Sequence, residues 1–252
     1  MKEEGQQNHR GRDIKGVKRK PSTHEASEAN QVWTWDITWI PGSVKGIFYY
    51  LYVMVDIYSR KIVAHEVYME ETSENACELI KRAVLSERIC ANPLVLHSDN
   101  GSPMKAATFK ATLENLGVLP SYSRPRVSND NPYSESLFKT CKYRPEYPGR
   151  GFATLEKARE WALSFVRWYN YSHHHSGIGF VTPHERHNGE AEQIMKNRQK
   201  VYETAKHMNP QRWSGNTRNW SLPESVWLNP EKEVQETAIT KLNSVQERRQ
   251  VA

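Results

Sequence analysis

The chain has 252 residues, enough for one large domain with appendages and a buried core. Hydrophobic residues make up 37% and the mean hydropathy is −0.79, and no stretch approaches the roughly 20 apolar residues of a membrane span. A formal net charge of +6 inclines the chain toward polyanionic partners without naming one.

The N-terminal MKEEGQQNHRGR holds no apolar segment, which argues against a secretory signal. Residues 1–20 carry seven basic side chains against three acidic ones. With no apolar periodicity, residues 1–30 read as a basic, disordered N-terminal tail, and an arm that touches nucleic acid is compatible with the same disorder. Cys77, Cys90 and Cys141 are widely spaced and lack a CxxC pair. That pattern fits reduced thiols in a cytosolic protein better than disulfides or a zinc site.

Order is expected from Gln31. In QVWTWDITWI, Trp33, Trp35, Ile37 and Trp39 alternate with Thr34, Asp36 and Thr38, the period of a strand with two unlike faces. Asp36 thus lies on the face opposite three tryptophans. Pro41-Gly42-Ser43 turns the chain, residues 46–55 form a nearly continuous apolar strand, and DIYSR at 56–60 reads as a turn. Residues 61–68 complete an antiparallel meander. The period then changes: Ala76, Leu79, Ile80, Ala83 and Val84 form one helical stripe, opened by Thr72 or Ser73.

A short strand, Leu94-Val95-Leu96, ends by presenting His97, Ser98 and Asp99 ahead of Asn100-Gly101. Ser102-Pro103 suits a helix cap followed by the first helical position, and Phe109, Leu113 and Leu116 form a stripe ended by Gly117. Residues 118–122 make a strand, Asn131-Pro132 opens a helix ending near Pro145, and a longer helix covers about 154–171. Residues 183–207 look helical, and the remainder is irregular with Trp213, Trp220 and Trp227. The order βββαβαβα predicts an α/β protein with a mixed five-stranded sheet, three antiparallel strands then two parallel ones, flanked by helices.

Three carboxylates are candidates for one site. If the strands of Asp36 and Asp99 are neighbours, their carboxylates meet at one sheet edge, where open α/β sheets place ligands. Around the helix of Glu135, at about 100° per residue, Lys139 falls about 40° and Lys142 about 20° from the acid, with Leu137, Phe138 and Cys141 on the other side. An exposed Glu–Lys pair is the ordinary reading of such a face. Three gathered carboxylates, however, repel unless cations lie between them. Two Mg²⁺ ions on oxygen ligands would meet that need and could flank a phosphodiester, with the lysines facing the nucleic-acid backbone.

WTWDITWI, LHSDNG and NDNPYSESLFKTCKYRP resemble the integrase core of the retroviral-integrase superfamily, whose fold is ribonuclease-H-like. The 35 residues between Asp99 and Glu135 match its D-D-(35)-E spacing, and Lys142 its basic residue seven positions after the glutamate. RWYNYSHHHSGIGFVTPHERHNG and NWSLPESVWLNP are similar to the second-frame (OrfB-type) transposases of the insertion-sequence-three family.

The resemblance implies that Asp36, Asp99 and Glu135 are catalytic and hold Mg²⁺, for which Mn²⁺ can substitute, and that Lys142 contacts DNA; the shared helix face adds Lys139 as a DNA contact. It implies cleavage at transposon ends and strand transfer by direct transesterification, the partners being terminal-repeat and target DNA. A homo-oligomer on DNA, an upstream-frame subunit supplying a helix-turn-helix, and a cytoplasmic, nucleoid-associated location are expected with it. The expected domains are the tail at 1–30, the catalytic core at 31–190 and a C-terminal extension at 191–252. Two rivals share these residues: a ribonuclease-H-like nuclease that only hydrolyses, and a truncated DNA-binding remnant.

Other residues are weighed and declined. Asp56 is assigned to its turn and Asp130 to a helix start. His173-His174-His175 is assigned to a loop rather than to zinc, because adjacent histidines point apart. Ser98 has no identifiable base, His97 either orients Asp99 or packs, and the C-terminal tryptophans are expected to pin the extension to the core.

Overall fold

The computed structural model describes residues 20–89, 93–125, 127 and 130–230. At its centre lies β2 (Val32–Pro41), paired antiparallel with β3 (Phe48–Asp56) on one side and parallel with β5 (Leu94–Ser98) on the other. β4 (Ile62–Tyr68) continues the antiparallel side and β6 (Val118–Tyr122) the parallel side, giving the order β4-β3-β2-β5-β6. This is the expected mixed five-stranded sheet.

Strand alternation sorts the core into two layers. Trp33 and Trp35 of β2, with Tyr52 and Met54 of β3, pack against α1 (Ser73–Ser86) and α3 (Ala107–Asn115). Trp35 stacks on Tyr52 and meets Phe109 with ring centroids 5.1 Å apart. Leu51, Val53 and Val55 point the other way, onto α4 (Pro132–Lys142) and α5 (Leu155–Tyr171). Asp36, one residue out of phase with the tryptophans, belongs to this second face.

The structure departs from the sequence expectations at several elements. Trp39 is 53% exposed, because β2 runs past the helices that cover Trp33 and Trp35. Ordered structure starts before Gln31: β1 (His24–Ala26) pairs antiparallel with β7 (Val226–Leu228), and Thr23 Oγ1 donates to Asn229 O at 2.8 Å. Gly101, not Ser102, caps the short α2 (Ser102–Lys105), and α3 restarts after extended Ala106. The predicted helix over 183–207 is two, α6 (Pro183–His187) and α7 (Ala191–Met208), broken where Gly189 takes φ 78°. Residues 1–19 and Cys90 lie outside the described residues, while Cys77 and Cys141 are buried free thiols.

One side chain ties α5 to the sheet. Asn170 Oδ1 accepts from Ile62 N and its Nδ2 donates to Ile62 O, both at 2.9 Å, at a buried site beside the register shift in the β3–β4 ladder. Removing this amide leaves a buried N–H and a buried C=O without partners. Asn170→Ala is therefore expected to lower the unfolding free energy by about 2–4 kcal/mol, read from urea denaturation as a shifted midpoint at unchanged slope.

Candidate active site

Parallel pairing brings the two aspartates together. Its last paired residues are Trp35 and Ser98, so Asp36 and Asp99 are the next residue along each strand. Asp36 is half-buried on the α4 face, and its Oδ1 accepts from Ile37 N at 2.8 Å. Asp99 is exposed and uses Oδ1 to accept from Gly101 N at 2.8 Å. It does shape the turn, with one oxygen only. The approach is close: a Cβ on Gly101 would lie 3.1 Å from that oxygen and 2.7 Å from Met104 Sδ. Asn100 Nδ2 donates to Ser123 O, and Ser123 N to Ser98 O, holding the turn against the loop after β6.

Glu135 comes from the first turn of α4, which is stitched to β2 at the two residues just before Asp36. Asn131 Nδ2 donates to Trp35 O at 3.2 Å and Ser134 Oγ to Thr34 Oγ1 at 3.3 Å, while Leu137 and Cys141 bury the opposite face. These contacts turn Glu135 toward Asp36. Its carboxylate takes no hydrogen bond and no ion pair among the described residues, so the ordinary Glu135–Lys139 pair does not form. Lys139 and Lys142 are both exposed.

The electrostatics show the convergence. Burial pushes the Asp36 carboxyl up to about 7, helped by the charge of Asp99 and, less strongly, by Glu135 and Glu71, and opposed by the Ile37 N–H. Glu71 had no signal in the sequence beyond its place in an acidic turn. It accepts from exposed Trp39 Nε1 at 3.3 Å and adds a fourth negative charge to the rim. Among the described residues, no three acidic, imidazole or thiol side chains are drawn close enough to hold an ion as they stand. The donor set itself is all carboxylate oxygen, with no sulfur or imidazole, which is the chemistry of Mg²⁺ and Mn²⁺ rather than of zinc.

The declined residues fall outside this group. Asp56 is fully buried and accepts from Ser59 N, Ser59 Oγ and Asn30 N, as its turn role requires. Asp130 does not cap α4. It forms a forked ion pair with Arg124, at 2.9 Å to Nε and 2.8 Å to Nη2, while Asn131 occupies the cap position. His97 packs: its ring bonds Ser121 Oγ, Ser123 Oγ and the Asp130 carbonyl, and burial takes its pKa down to about 4. Ser98 Oγ donates to the Asp99 carbonyl. His173 lies against Trp168 and Tyr169, and His175 Nδ1 accepts from Gly177 N. Trp220 packs with Tyr202, and Trp227 O accepts from Tyr133 Oη, so both hold the C-terminal segment to the body.

Raised Asp36 carries a sign for stability. Between about pH 4 and pH 7 the folded chain holds more protons at this group than the unfolded chain, so stability is lost as pH rises through that window. In EDTA, Asp36→Asn should match the native protein near pH 4 and exceed its unfolding free energy by on the order of 1–3 kcal/mol near pH 8. Urea denaturation at the two pH values checks this, and parallel pH dependence of the two proteins would contradict the raised carboxyl.

Comparison with known proteins bears on the family and the fold. Residues 26–128 match the family described as Integrase core domain, and residues 116–183 match a second family of the same description. The transposase for insertion sequence element IS904 of Lactococcus lactis is 31% identical over 163 residues, 63% of this chain and 62% of that protein. Transposase InsF for insertion sequence IS3A of Escherichia coli is 27% identical over 161 residues, 64% of this chain and 54% of that protein. The chain thus spans between about half and two thirds of the length of these curated relatives. A chain of the simian T-cell lymphotropic virus intasome, solved with the PP2A regulatory subunit B56 gamma, superposes with a TM-score of 0.50 at 18% identity, covering 67% of this chain and 58% of that one. That likeness is one of fold, the ribonuclease-H-like sheet with its helices. With matches to the integrase core running from residue 26 to residue 183, the chain belongs to the integrase-core family, and over that region it is similar to insertion-sequence transposases.

Proposed function

We propose that this chain is the catalytic subunit of a transposase that cuts DNA at transposon ends and joins them to target DNA by transesterification, with Mg²⁺ as cofactor. The observation that carries the reading is the convergence of Asp36, Asp99 and Glu135 from a strand centre, a strand end and a helix, with the charges of Asp99 and Glu135 both acting on Asp36. In each aspartate one oxygen is tied to a backbone N–H, which fixes its orientation, and the other takes no hydrogen bond among the described residues. When bound, two Mg²⁺ ions would polarise the scissile phosphate, activate the attacking oxygen and stabilise the leaving one.

The chain's own residues orient and bind. The three carboxylates are the ligands, and anchoring of Asp99 and α4 through Asn100, Asn131 and Ser134 holds them in register. Lys142 and Lys139, exposed on the Glu135 side of α4, are placed for the DNA backbone, next to Tyr143 at 85% exposure. Phosphate contacts of this kind carry no sequence information. Recognition of the terminal repeats is therefore assigned to an upstream-frame subunit with a helix-turn-helix, acting with a homo-oligomer of this chain on DNA. Among the described residues no helix is long and apolar enough to cross a membrane.

A single set of assays tests the proposal, using intact transposon-end duplexes for cleavage and pre-nicked ones for strand transfer, each with and without Mg²⁺. Asp36→Asn, Asp99→Asn and Glu135→Gln should each abolish cleavage and strand transfer while leaving DNA affinity intact. Lys142→Ala should instead weaken DNA binding and reduce the salt slope of log K by about one unit. Near-native cleavage by Asp99→Asn would overturn the metal assignment, and hydrolysis products without strand transfer would favour a nuclease.

A further inference from the structure

Arg60 closes the turn between β3 and β4 in the left-handed region, with φ 68°, its N–H donating to Asp56 O at 2.8 Å. A non-glycine residue held there is strained, a feature that clusters at ligand sites. The turn sends the guanidinium beneath the start of α4. Its Cζ lies 4.1 Å from the centre of the Tyr133 ring, and its Nε is buried without a hydrogen-bond partner. Among the described residues no carboxylate or carbonyl accepts from any nitrogen of this guanidinium. Asp56, whose charge reaches it, has both oxygens engaged by Ser59 and Asn30. A half-buried cation without an anionic partner is costly unless a ligand supplies one.

Beside Arg60 is a cavity of about 430 Å³, set between β3, the first turn of α4, α5 and the chain after β7. No aspartate or glutamate lines it, and its polar lining is Arg60, Ser136, His175 and Asn229, whose Nδ2 is committed to Ser22 O and Asp130 O. His175 Nδ1 accepts from Gly177 N, so the ring proton lies on Nε2. Burial and the neighbouring Arg60 hold this imidazole neutral, with its pKa down to about 4. The aromatic lining is Tyr133, Tyr169 and Trp227, and the N-terminal end of the 11-residue α4 faces the same space. The helix dipole there favours negative charge. Cavities of roughly 300–1,000 Å³ are the size that takes small ligands.

We propose that this cavity binds a phosphate group carried on a single nucleotide unit, the phosphate on Arg60 and the nucleoside against the aromatic wall. The phosphate can come from the end of a nucleic-acid strand or from a free nucleotide. The site is distinct from the carboxylates: Ser136 and Leu137 lie about 100° and 200° around α4 from Glu135, and none of the three acids lines the cavity. Its success or failure is therefore separable from that of the cleavage reading.

The test is calorimetric titration of the full chain in EDTA with thymidine, thymidine 5′-monophosphate, inorganic phosphate and a 5′-phosphorylated thymidine trinucleotide. Thymidine 5′-monophosphate should bind about ten-fold or more tightly than thymidine, and Arg60→Gln should lose that advantage. Ser136→Phe, which fills the cavity from an exposed position, should weaken binding to a similar degree at an unchanged unfolding midpoint. It carries the test by itself if Arg60→Gln folds poorly. Tighter binding of the trinucleotide assigns the site to a strand end, and tighter binding of the mononucleotide to a free nucleotide. Native affinity in Ser136→Phe, equal binding of thymidine and its phosphate, inorganic phosphate binding as tightly as the nucleotide, or no binding of any phosphate at millimolar concentration would overturn the proposal.

Discussion

β2 has an antiparallel neighbour on one side and a parallel neighbour on the other, so the backbone groups of Trp33–Trp35 are committed to ladders in both directions. Parallel pairing with β5 excludes a one-residue slip, because Trp33 and Trp35 must stay under α1 and α3. A slip by one residue would send both tryptophans to the α4 face and Asp36 to the tryptophan side. The placement of the Asp36 carboxylate near Asp99 follows from that register. So does the arrival of Glu135, since α4 is anchored to the Thr34 side chain and the Trp35 carbonyl. A site made from a strand centre, a strand end and a helix is thus a consequence of how two large aromatic side chains are buried.

Like charges are held together at the expense of folding. Burial and neighbouring acids raise the Asp36 carboxyl, and the surrounding hydrogen bonds oppose that repulsion without cancelling it. The polar network behind the site provides the mechanical support. His97, kept neutral by burial, joins β5 to Ser121, Ser123 and the Asp130 carbonyl, a group that also accepts from Asn229 Nδ2 at 2.8 Å. A carbonyl can only accept, so His97 Nε2 carries the proton and Nδ1 is free to accept from Ser121. His24 Nε2 reaches the same Ser121 hydroxyl at 2.7 Å, linking the β1–β7 pair to β6.

Much of this was legible in the residues. The alternation of Trp33, Trp35 and Ile37 with Thr34, Asp36 and Thr38 located the acid's face, and the angular separation of Glu135 from Leu137 and Cys141 located the helix face. Both rest on local periodicities that burial enforces. What could not be read depends on long-range pairing. β1 and β7 are three residues each and about 200 apart in sequence, so neither shows a period, and their meeting extends ordered structure ahead of Gln31. Asp130 resembled a cap because Asn131-Pro132 follows it, yet Arg124 competes for its carboxylate with a charge-assisted fork that no backbone N–H can match. Arg60 looked like one more turn residue. Its left-handed backbone and orphan nitrogen are visible only once α4 lies over it.

The central claim is that Asp36, Asp99 and Glu135 act as one divalent-cation site. The most direct measurement is paramagnetic broadening of backbone amide signals during a substoichiometric Mn²⁺ titration of the native chain. The account predicts that the amides of Ile37, Gly101 and Glu135 broaden together and before any others. Broadening centred on His173–His175, or on one of the three acids without the other two, would contradict it.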